Sequence, residues 1–180
     1  MTGNRVPLSV KITIYHNVHE DAFFGLNAVR LPGGGTRQAT AAERHPLVKV
    51  FTYDWDGLDR FGHPAEDAHI PLEMAFEEFN VGTGDLAQRY RDRRLRSLSV
   101  GDVVVVGETA WACASAGWTP VTGDALRILE GAEAEMAIRA RFRFRPTEPL
   151  TITVPLEVAK EGRTPTLTTS PTAACREGDA

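Results

Sequence analysis

A group of histidines and carboxylates within the first 21 residues of the chain carries the donor atoms that a metal site would need. His16 and His19 are three residues apart, and Glu20 and Asp21 follow directly. Imidazole nitrogens and carboxylate oxygens are ligands for zinc and iron. His16 ends a predicted strand, however, so this spacing does not place both rings on one helical face. We therefore expect surface histidines here, and neither a metal nor a cofactor bound to the chain.

Three other short motifs resemble ion-binding or catalytic sequences, and each departs from the pattern that its chemistry requires. Residues 54–59 lack the glycine and the later glutamate of an EF-hand calcium loop. Residues 33–37 are rich in glycine but lack the lysine and the spacing of a P-loop. Cys113 does not belong to a G-x-S-x-G elbow, and its apolar surroundings predict a buried thiol. We therefore predict that the protein is not an enzyme.

Acidic residues concentrate between residues 54 and 85, where nine carboxylates accompany a single basic residue, Arg60. Such a block either docks on a basic protein surface, such as the DNA channel of a nucleic-acid enzyme, or forms a solvated face neutralised by nearby arginines. Both interpretations remain open from the sequence. If the block docks, we expect an acidic and aromatic contact surface made of Tyr53, Asp54, Trp55, Asp56, Phe61, Glu73, Glu77 and Glu78.

Two groups of arginines provide the alternative, a surface that binds nucleic acid. The first group follows the acidic block, and few aromatic residues are interleaved with it. The second group alternates along a predicted strand, which would space neighbouring side chains about 6.7 Å apart on one face. Each group either contacts phosphates or forms a solvated face. The candidate anion-binding residues are Arg89, Arg93, Arg139, Arg141 and Arg143.

The N-terminal half of the chain must position these residues on strands and one main helix. Residues 8–16 alternate between apolar and polar types, which predicts a half-buried strand, and residues 47–54 predict a second one. The segment between them has no sustained period and is predicted to be a long loop, with or without a turn of helix. An amphipathic helix is predicted from Pro71, with Leu72, Ala75, Phe76 and Phe79 on its buried stripe.

The C-terminal half is predicted to begin with a short helix over residues 86–95, whose capping box pairs Asp85 with Gln88. Three short apolar runs then predict a β-meander, and Asp124 is placed to cap another short helix. Residues 134–145 and 150–158 alternate strictly, which predicts an antiparallel hairpin with one buried face.

These elements together predict an α+β fold with a mostly antiparallel sheet. We expect the following organisation: an α+β core at residues 1–122, a helix and hairpin packed on the same sheet at 123–158, and a disordered tail at 159–180.

The composition indicates an ordinary globular protein of one domain. The chain has 180 residues, of which 42% are hydrophobic and 24% charged, and it has no apolar run long enough to span a membrane. We find no secretory signal, and two cysteines cannot build a disulfide framework, so a cytoplasmic location is expected. A formal net charge of −4 argues against bulk attraction to nucleic acid.

The stretch from Phe76 to Val121 carries one specific resemblance. It contains a helix ending in Phe-Asn, then the sequence RSLSVGDVVVV from Arg96, and then a closing GWTPV. This order of motifs resembles the YodL-like domain, and with the strand before the helix the resemblance covers about residues 47–121. The matching positions are Phe79, Asn80, Arg96, Ser97, Ser99, Gly101, Asp102 and Trp118.

The resemblance implies a setting in mobile genetic elements. YodL-like domains occur as small proteins and within large proteins of phages and conjugative plasmids, beside antirestriction and DNA-transfer modules, and the family supplies no catalytic residues. We therefore expect a non-enzymatic accessory or counter-defence protein that docks a host or element-encoded protein. The alternative is a nucleic-acid-binding accessory factor.

The motif itself has two open interpretations on physical grounds. Ser97 and Ser99 can bond local backbone, Gly101 permits a tight turn, and Asp102 can cap that turn before an apolar strand. The motif is therefore either a turn that defines the fold or a recognition loop.

Overall fold

Eight strands and three helices form the part of the chain that the computed structural model describes, which is residues 9–57 and 68–142. The predicted strand at 150–158, the tail at 159–180, and the candidate residues Phe61 and Arg143 lie outside these ranges. The strands are β1 (Val10–Asn17), β2 (Ala28–Arg30), β3 (Thr36–Gln38), β4 (Pro46–Trp55), β5 (Val103–Val106), β6 (Thr109–Cys113), β7 (Trp118–Val121) and β8 (Arg127–Leu129). The helices are α1 (His69–Asn80), α2 (Asp85–Asp92) and α3 (Gly131–Phe142).

Six of these strands form one sheet in the order β7-β6-β5-β1-β4-β8. All neighbours are antiparallel except β4 and β8, which run parallel. The predicted α+β class and the β-meander, formed by β5, β6 and β7, are confirmed. The segment predicted as a loop contains a second, two-stranded sheet of β2 and β3. No helix among the described residues is long and apolar enough to cross a membrane.

Helices α1 and α2 cover one face of the sheet. Ile12 and Ile14 of β1 are fully buried and belong to one cluster with Leu72 and Phe79 of α1. Val104 and Val106 of β5 join the same cluster, and the predicted burial of Leu72 and Phe79 is confirmed.

The prediction that Phe76 is a core residue is wrong. Its side chain is 37% exposed, and its ring meets Trp118 edge to face at 6.3 Å between centroids. Phe76 lies at the margin of the buried stripe, where α1 passes the β6–β7 hairpin instead of the sheet centre. The apolar stripe correctly identified the helix, but it could not show where the sheet beneath that helix ends.

The predicted strand over residues 134–145 is also wrong, because residues 131–142 form helix α3. Ala134, Ala137 and Ile138 pack against one cluster, which is the i, i+3, i+4 spacing of a helix face. Met136, which the alternation placed on the buried face, is 64% exposed. Alanine, glutamate, methionine and arginine are strong helix formers, so intrinsic propensity and packing together outweigh the period-two pattern.

Two local predictions need a similar correction. The short helix predicted after Asp124 does not form, because a 3₁₀ turn at Gly123–Ala125 is followed there by β8, which pairs with β4. Asp85 does not cap α2, because it is the first helical residue and Gly84 occupies the N-cap position. The backbone N–H of Ala87 in the first turn instead donates to Glu78 Oε1 of α1 at 3.0 Å.

Candidate functional site

A groove of about 400 Å³ opens beside the β6–β7 hairpin, where α1 reaches the edge of the sheet. Three aromatic side chains line it, namely Phe23, Phe76 and Trp118, and Glu73 lies among them. Ser99 and Val100 of the Arg96–Asp102 segment and the chain at residues 113–117 complete its walls. We call this feature the aromatic groove.

Trp118 holds α1 and β7 together at the centre of this groove. Its indole Nε1–H donates to Glu73 Oε1 at 2.9 Å, while its ring contacts the edge of Phe76. His69 Nδ1 lies 3.8 Å from the same carboxylate, one helical turn away. The carboxylate of Glu73 is therefore fixed in position at the rim, and about half of the side chain is still exposed.

Another wall of the groove comes from a 3₁₀ turn at Ala22–Phe24, which lies in the segment predicted as a long loop with or without a turn of helix. Ala22 is buried and anchors the turn, whereas Phe23 is 67% exposed and Phe24 52%. The guanidinium of Arg141 lies 5.9 Å from the Phe23 ring centroid, within the range of a cation–π contact. The only signal in the sequence was a pair of adjacent phenylalanines within a polar segment that lacks periodicity.

The segment Arg96–Asp102 folds around a buried ion pair. Both terminal nitrogens of the Arg96 guanidinium, Nη1 and Nη2, donate to the Asp102 carboxylate, at 2.6 and 2.5 Å, and Asp102 has no exposed surface. The backbone N–H of Ser99 donates to Asp102 Oδ2 at 2.9 Å, so the predicted capping of the turn by Asp102 is confirmed. Burial raises the pKa of Asp102, while the Arg96 guanidinium and the backbone N–H groups of Asn17 and Ser99 act in the opposite direction.

The same carboxylate also holds a distant loop. The backbone N–H of Asn17 donates to Asp102 Oδ1 at 2.9 Å, and the Asn17 side-chain amide donates to the carbonyl of Gly101 at 3.1 Å. Gly101 has φ +85°, and a Cβ there would overlap the carbonyl oxygen of Ala22. The turn therefore packs directly under the segment that presents Phe23.

His16 lies in the core beside Tyr90, so the prediction that it is a surface histidine is wrong. The Tyr90 hydroxyl donates to the carbonyl of Arg96 at 2.9 Å, and His16 Nε2 lies 2.7 Å from the same hydroxyl. Since the hydroxyl has one proton, His16 must donate from Nε2. Burial, reinforced by the positive charge of Arg96, lowers the pKa of His16 to about 3, so the ring is neutral.

This buried histidine predicts a loss of stability in mild acid. The unfolded chain takes up a proton near the ordinary pKa of 6.5, whereas the folded ring resists protonation down to about 3. The stability from the neutral ring is therefore complete above pH 6.5 and declines as the pH falls towards 3. Between pH 7 and pH 5 we expect His16 to account for about 2 kcal/mol of lost unfolding free energy.

Urea titrations of the wild type and of His16→Gln at both pH values measure this difference. The variant is expected to be less stable at neutral pH but to lose less stability on acidification. An equal loss in both proteins would show that His16 does not cause the acid sensitivity.

The other histidine of the predicted metal group, His19, packs against a third histidine, His45. His19 stacks on His45 with ring centroids 3.9 Å apart and planes 11° apart. Two parallel rings do not direct their nitrogens to one point, and no group of three metal-ligating side chains is found among residues 9–57 and 68–142. His45 is fully buried and accepts from the Asn17 amide through Nδ1, and its pKa is lowered to about 4, chiefly by burial.

Cys113 lies in β6 and is buried, as its apolar neighbours predicted. Burial raises the pKa of its thiol to about 11, and the negative charges of Asp102 and Glu73 add to the effect. A thiol in this state is protonated at neutral pH and is a poor nucleophile.

The residues of the predicted acidic and aromatic contact surface do not form one continuous surface in the structure. Glu73 and Glu77 are exposed one turn apart on α1, but Glu78 is partly buried and bonded to the first turn of α2. Trp55 is buried in the core, so its expected place at the surface is wrong. Tyr53 packs edge to face on Phe79, and its pKa is raised, mainly by burial.

The two aspartates of this predicted surface, Asp54 and Asp56, are exposed at the end of β4. Asp54 pairs with Lys11 across the sheet, and strand alternation places it on the face opposite Tyr53 and Trp55. Since those two residues contact the cluster under α1, Asp54 does not share a face with the acidic helix.

The predicted arginine strip over residues 139–145 does not form in the described part of the chain. Arg139 and Arg141 lie two residues apart on α3, and residues at that spacing do not share a helix face. Arg139 lies 3.6 Å from Glu135, a helical ion pair. The earlier group keeps Arg89 and Arg93 exposed one turn apart at α2, and the Arg93 guanidinium lies 4.9 Å from the Phe51 ring centroid.

Comparison of the chain with protein-family models, with curated proteins and with solved structures gives no match. The resemblance to the YodL-like domain therefore stays a prediction from the sequence.

Proposed function

We propose that this protein acts without catalysis, by binding another protein through the exposed acids of α1 and the aromatic groove beside them. The observation that carries this proposal is the state of the acidic helix. None of the ion pairs among the described residues joins a carboxylate of α1 to an arginine of α2. Glu73 and Glu77 therefore keep their charge available beside a groove with three aromatic side chains.

The alternative explanation for the acidic block was neutralisation by the adjacent arginines. Glu78 bonds a backbone N–H instead, and Arg93 lies over an aromatic ring. Exposed acids beside exposed aromatic side chains favour a partner that combines positive charge with apolar surface. We propose a host or element-encoded protein as that partner, in the cytoplasm of a bacterium. The resemblance to the YodL-like domain supports this setting and an accessory or counter-defence role.

Charge reversal on α1 tests the proposal. The double variant Glu73→Lys, Glu77→Lys is expected to lose at least about 90% of partner capture, because the local field changes sign at the contact. Glu78 is left unchanged, since it stabilises the start of α2. Raising the salt concentration should mimic the loss, because exposed charges are screened within about 8 Å at physiological ionic strength.

The matched control is Glu133→Lys, Glu135→Lys, which makes the same change in net charge on the exposed surface of α3. The full-length chain is used to capture proteins from a nuclease-treated bacterial lysate, and bound proteins are quantified by mass spectrometry. Equal capture by the wild type and the α1 variant, or equal losses in both variants, would contradict the proposal.

A nucleic-acid-binding factor remains the second candidate, because Arg89 and Arg93 present two exposed cations one helical turn apart. For this candidate, capture should depend on nucleic acid and disappear after nuclease treatment. Arg89→Gln with Arg93→Gln should then reduce the salt dependence of binding by about one unit per lost phosphate contact.

A further inference from the structure

The β7 strand forms one edge of the six-stranded sheet. One of its residues, Trp118, has a backbone N–H and a carbonyl that bond no other described residue. The backbone N–H of Ala114 donates to the carbonyl of Gly117 at 3.0 Å, so these two residues form a hydrogen-bonded pair at the turn. Pairs alternate along antiparallel strands, and the next pair, Cys113 with Trp118, is therefore not hydrogen-bonded. Consistently, the N–H and carbonyl of Cys113 bond Asp102 and Gly101 on its other side.

The backbone N–H and carbonyl of Trp118 therefore point away from β6, towards the open edge. Neither group has a hydrogen-bond partner within residues 9–57 and 68–142. Pro120 has the same orientation two residues later and lacks an N–H, which limits how far an added strand can pair. The edge thus offers both backbone groups of one residue, Trp118, directly beside the aromatic groove, whereas Pro120 can offer only its carbonyl.

The charge of the groove selects the chemistry of a ligand. Among the described residues that line it, Glu73 carries the only formal charge at neutral pH, because the thiol of Cys113 is protonated. An aromatic or large aliphatic side chain suits the walls formed by Phe23, Phe76 and Trp118. A lysine or arginine beside that side chain would meet the Glu73 carboxylate.

We propose that an extended segment of the partner protein pairs with the Trp118 backbone, places one large apolar side chain in the aromatic groove, and sets an adjacent Lys or Arg against Glu73. This inference rests on the proposed function and specifies the form of the partner. Short strand addition of this kind obtains affinity from main-chain hydrogen bonds and specificity from side-chain sites beside the edge.

A second copy of this chain is a poorer occupant of the same edge. Antiparallel pairing of two β7 strands would bring the two Pro120 residues into one short ladder and the two Glu73 carboxylates towards each other. Both effects oppose association, the first by removing donors and the second by repulsion between like charges. The charge of the groove therefore favours a basic segment from a different protein.

Selection of random peptides displayed on phage against the immobilised full-length chain tests the inference. Enriched sequences are expected to combine a Trp, Phe or Leu with a neighbouring Lys or Arg, and representative peptides are then synthesised for affinity measurements. Phe23→Ser is expected to weaken these peptides about tenfold or more, as at a contact that dominates binding. The matched control is Phe24→Ser, which changes the same residue type on the same turn but does not line the groove.

Methylating the peptide backbone nitrogen that pairs with Trp118 should weaken binding similarly, because it removes a main-chain donor. Failure to enrich peptides, a consensus without basic residues, or equal effects of the two phenylalanine variants would overturn the inference. Since both side chains are largely exposed, thermal melts are expected to show folded variants.

Capture from lysate separates this inference from the function on which it rests. If Phe23→Ser captures the partner as well as the wild type while the α1 charge reversal does not, the groove is wrong and the acidic surface stands. If the charge reversal captures normally, the proposed function itself fails.

Discussion

Replacing Asp102 by alanine is expected to lower the free energy of unfolding by about 3–5 kcal/mol. The carboxylate is fully buried and accepts from four donors, two of them on the Arg96 guanidinium and two on the backbone of Asn17 and Ser99. Removing it leaves a guanidinium without its partner carboxylate and two backbone N–H groups without theirs. Such losses cost far more than the formation of the pair contributes.

Urea denaturation of the purified chain measures this effect, and Asp54→Ala is the control. Asp54 is an exposed aspartate on β4, so its removal should change stability by less than about 0.5 kcal/mol. Asp102→Asn adds a second arm, because the amide keeps the size and one acceptor but loses the charge opposite Arg96. A loss below about 1 kcal/mol in Asp102→Ala would show that the network is not a major source of stability.

The elements that the sequence predicted correctly are those determined by residues close together in the chain. The alternation along β1 identified a strand because one of its faces rests on the helices throughout. The glycines of the meander identified its turns, since Gly107 and Gly117 have positive φ values of +62° and +71°. Within the Arg96–Asp102 segment, the capping role of Asp102 was predictable because donor and acceptor lie three residues apart.

The errors concern residues whose environment is set by distant parts of the chain. Residues 134–142 satisfy a strand pattern and a helix pattern at once, and their contact with Val18, Val48 and Leu129 favours the helix. Trp55 was expected at the surface beside the acids, but its strand position turns it into the core. The bond between Asn17 and Asp102 spans 85 residues, so no local pattern could reveal it. The place of Phe23 beside the groove also depends on residues distant in the sequence, so no local pattern predicted it.

The position of Phe23 depends on the long-range hydrogen bonds of Asn17 to Gly101 and Asp102. These bonds connect the two interpretations of the Arg96–Asp102 segment, a turn that defines the fold and a recognition loop. The buried part of the Arg96–Asp102 segment, with Gly101 and Asp102, defines the turn and holds the loop from Asn17 to Ala22. Its more exposed part, with Ser99, lines the aromatic groove. A turn that defines the fold thereby also positions a wall of the candidate binding surface, so damage to the turn should affect both stability and binding.

Gly101→Ala is therefore expected to destabilise the protein by about 3 kcal/mol or more, from backbone strain and steric overlap together. The backbone φ of +85° is unfavourable for alanine, and the added Cβ would overlap the carbonyl oxygen of Ala22. That carbonyl belongs to the buried residue Ala22 and accepts from the N–H of Gly25, so it cannot move without disturbing the segment that presents Phe23. Gly117→Ala is the matched control, because its φ is +71° with no atom within 4 Å of the new Cβ. The control should cost only the strain of a left-handed residue, about 1–2 kcal/mol, and the difference between the variants measures the overlap at Ala22. Equal losses in urea denaturation would show that the loop from Asn17 to Ala22 moves aside without cost, and that Gly101 does not hold the groove wall in place.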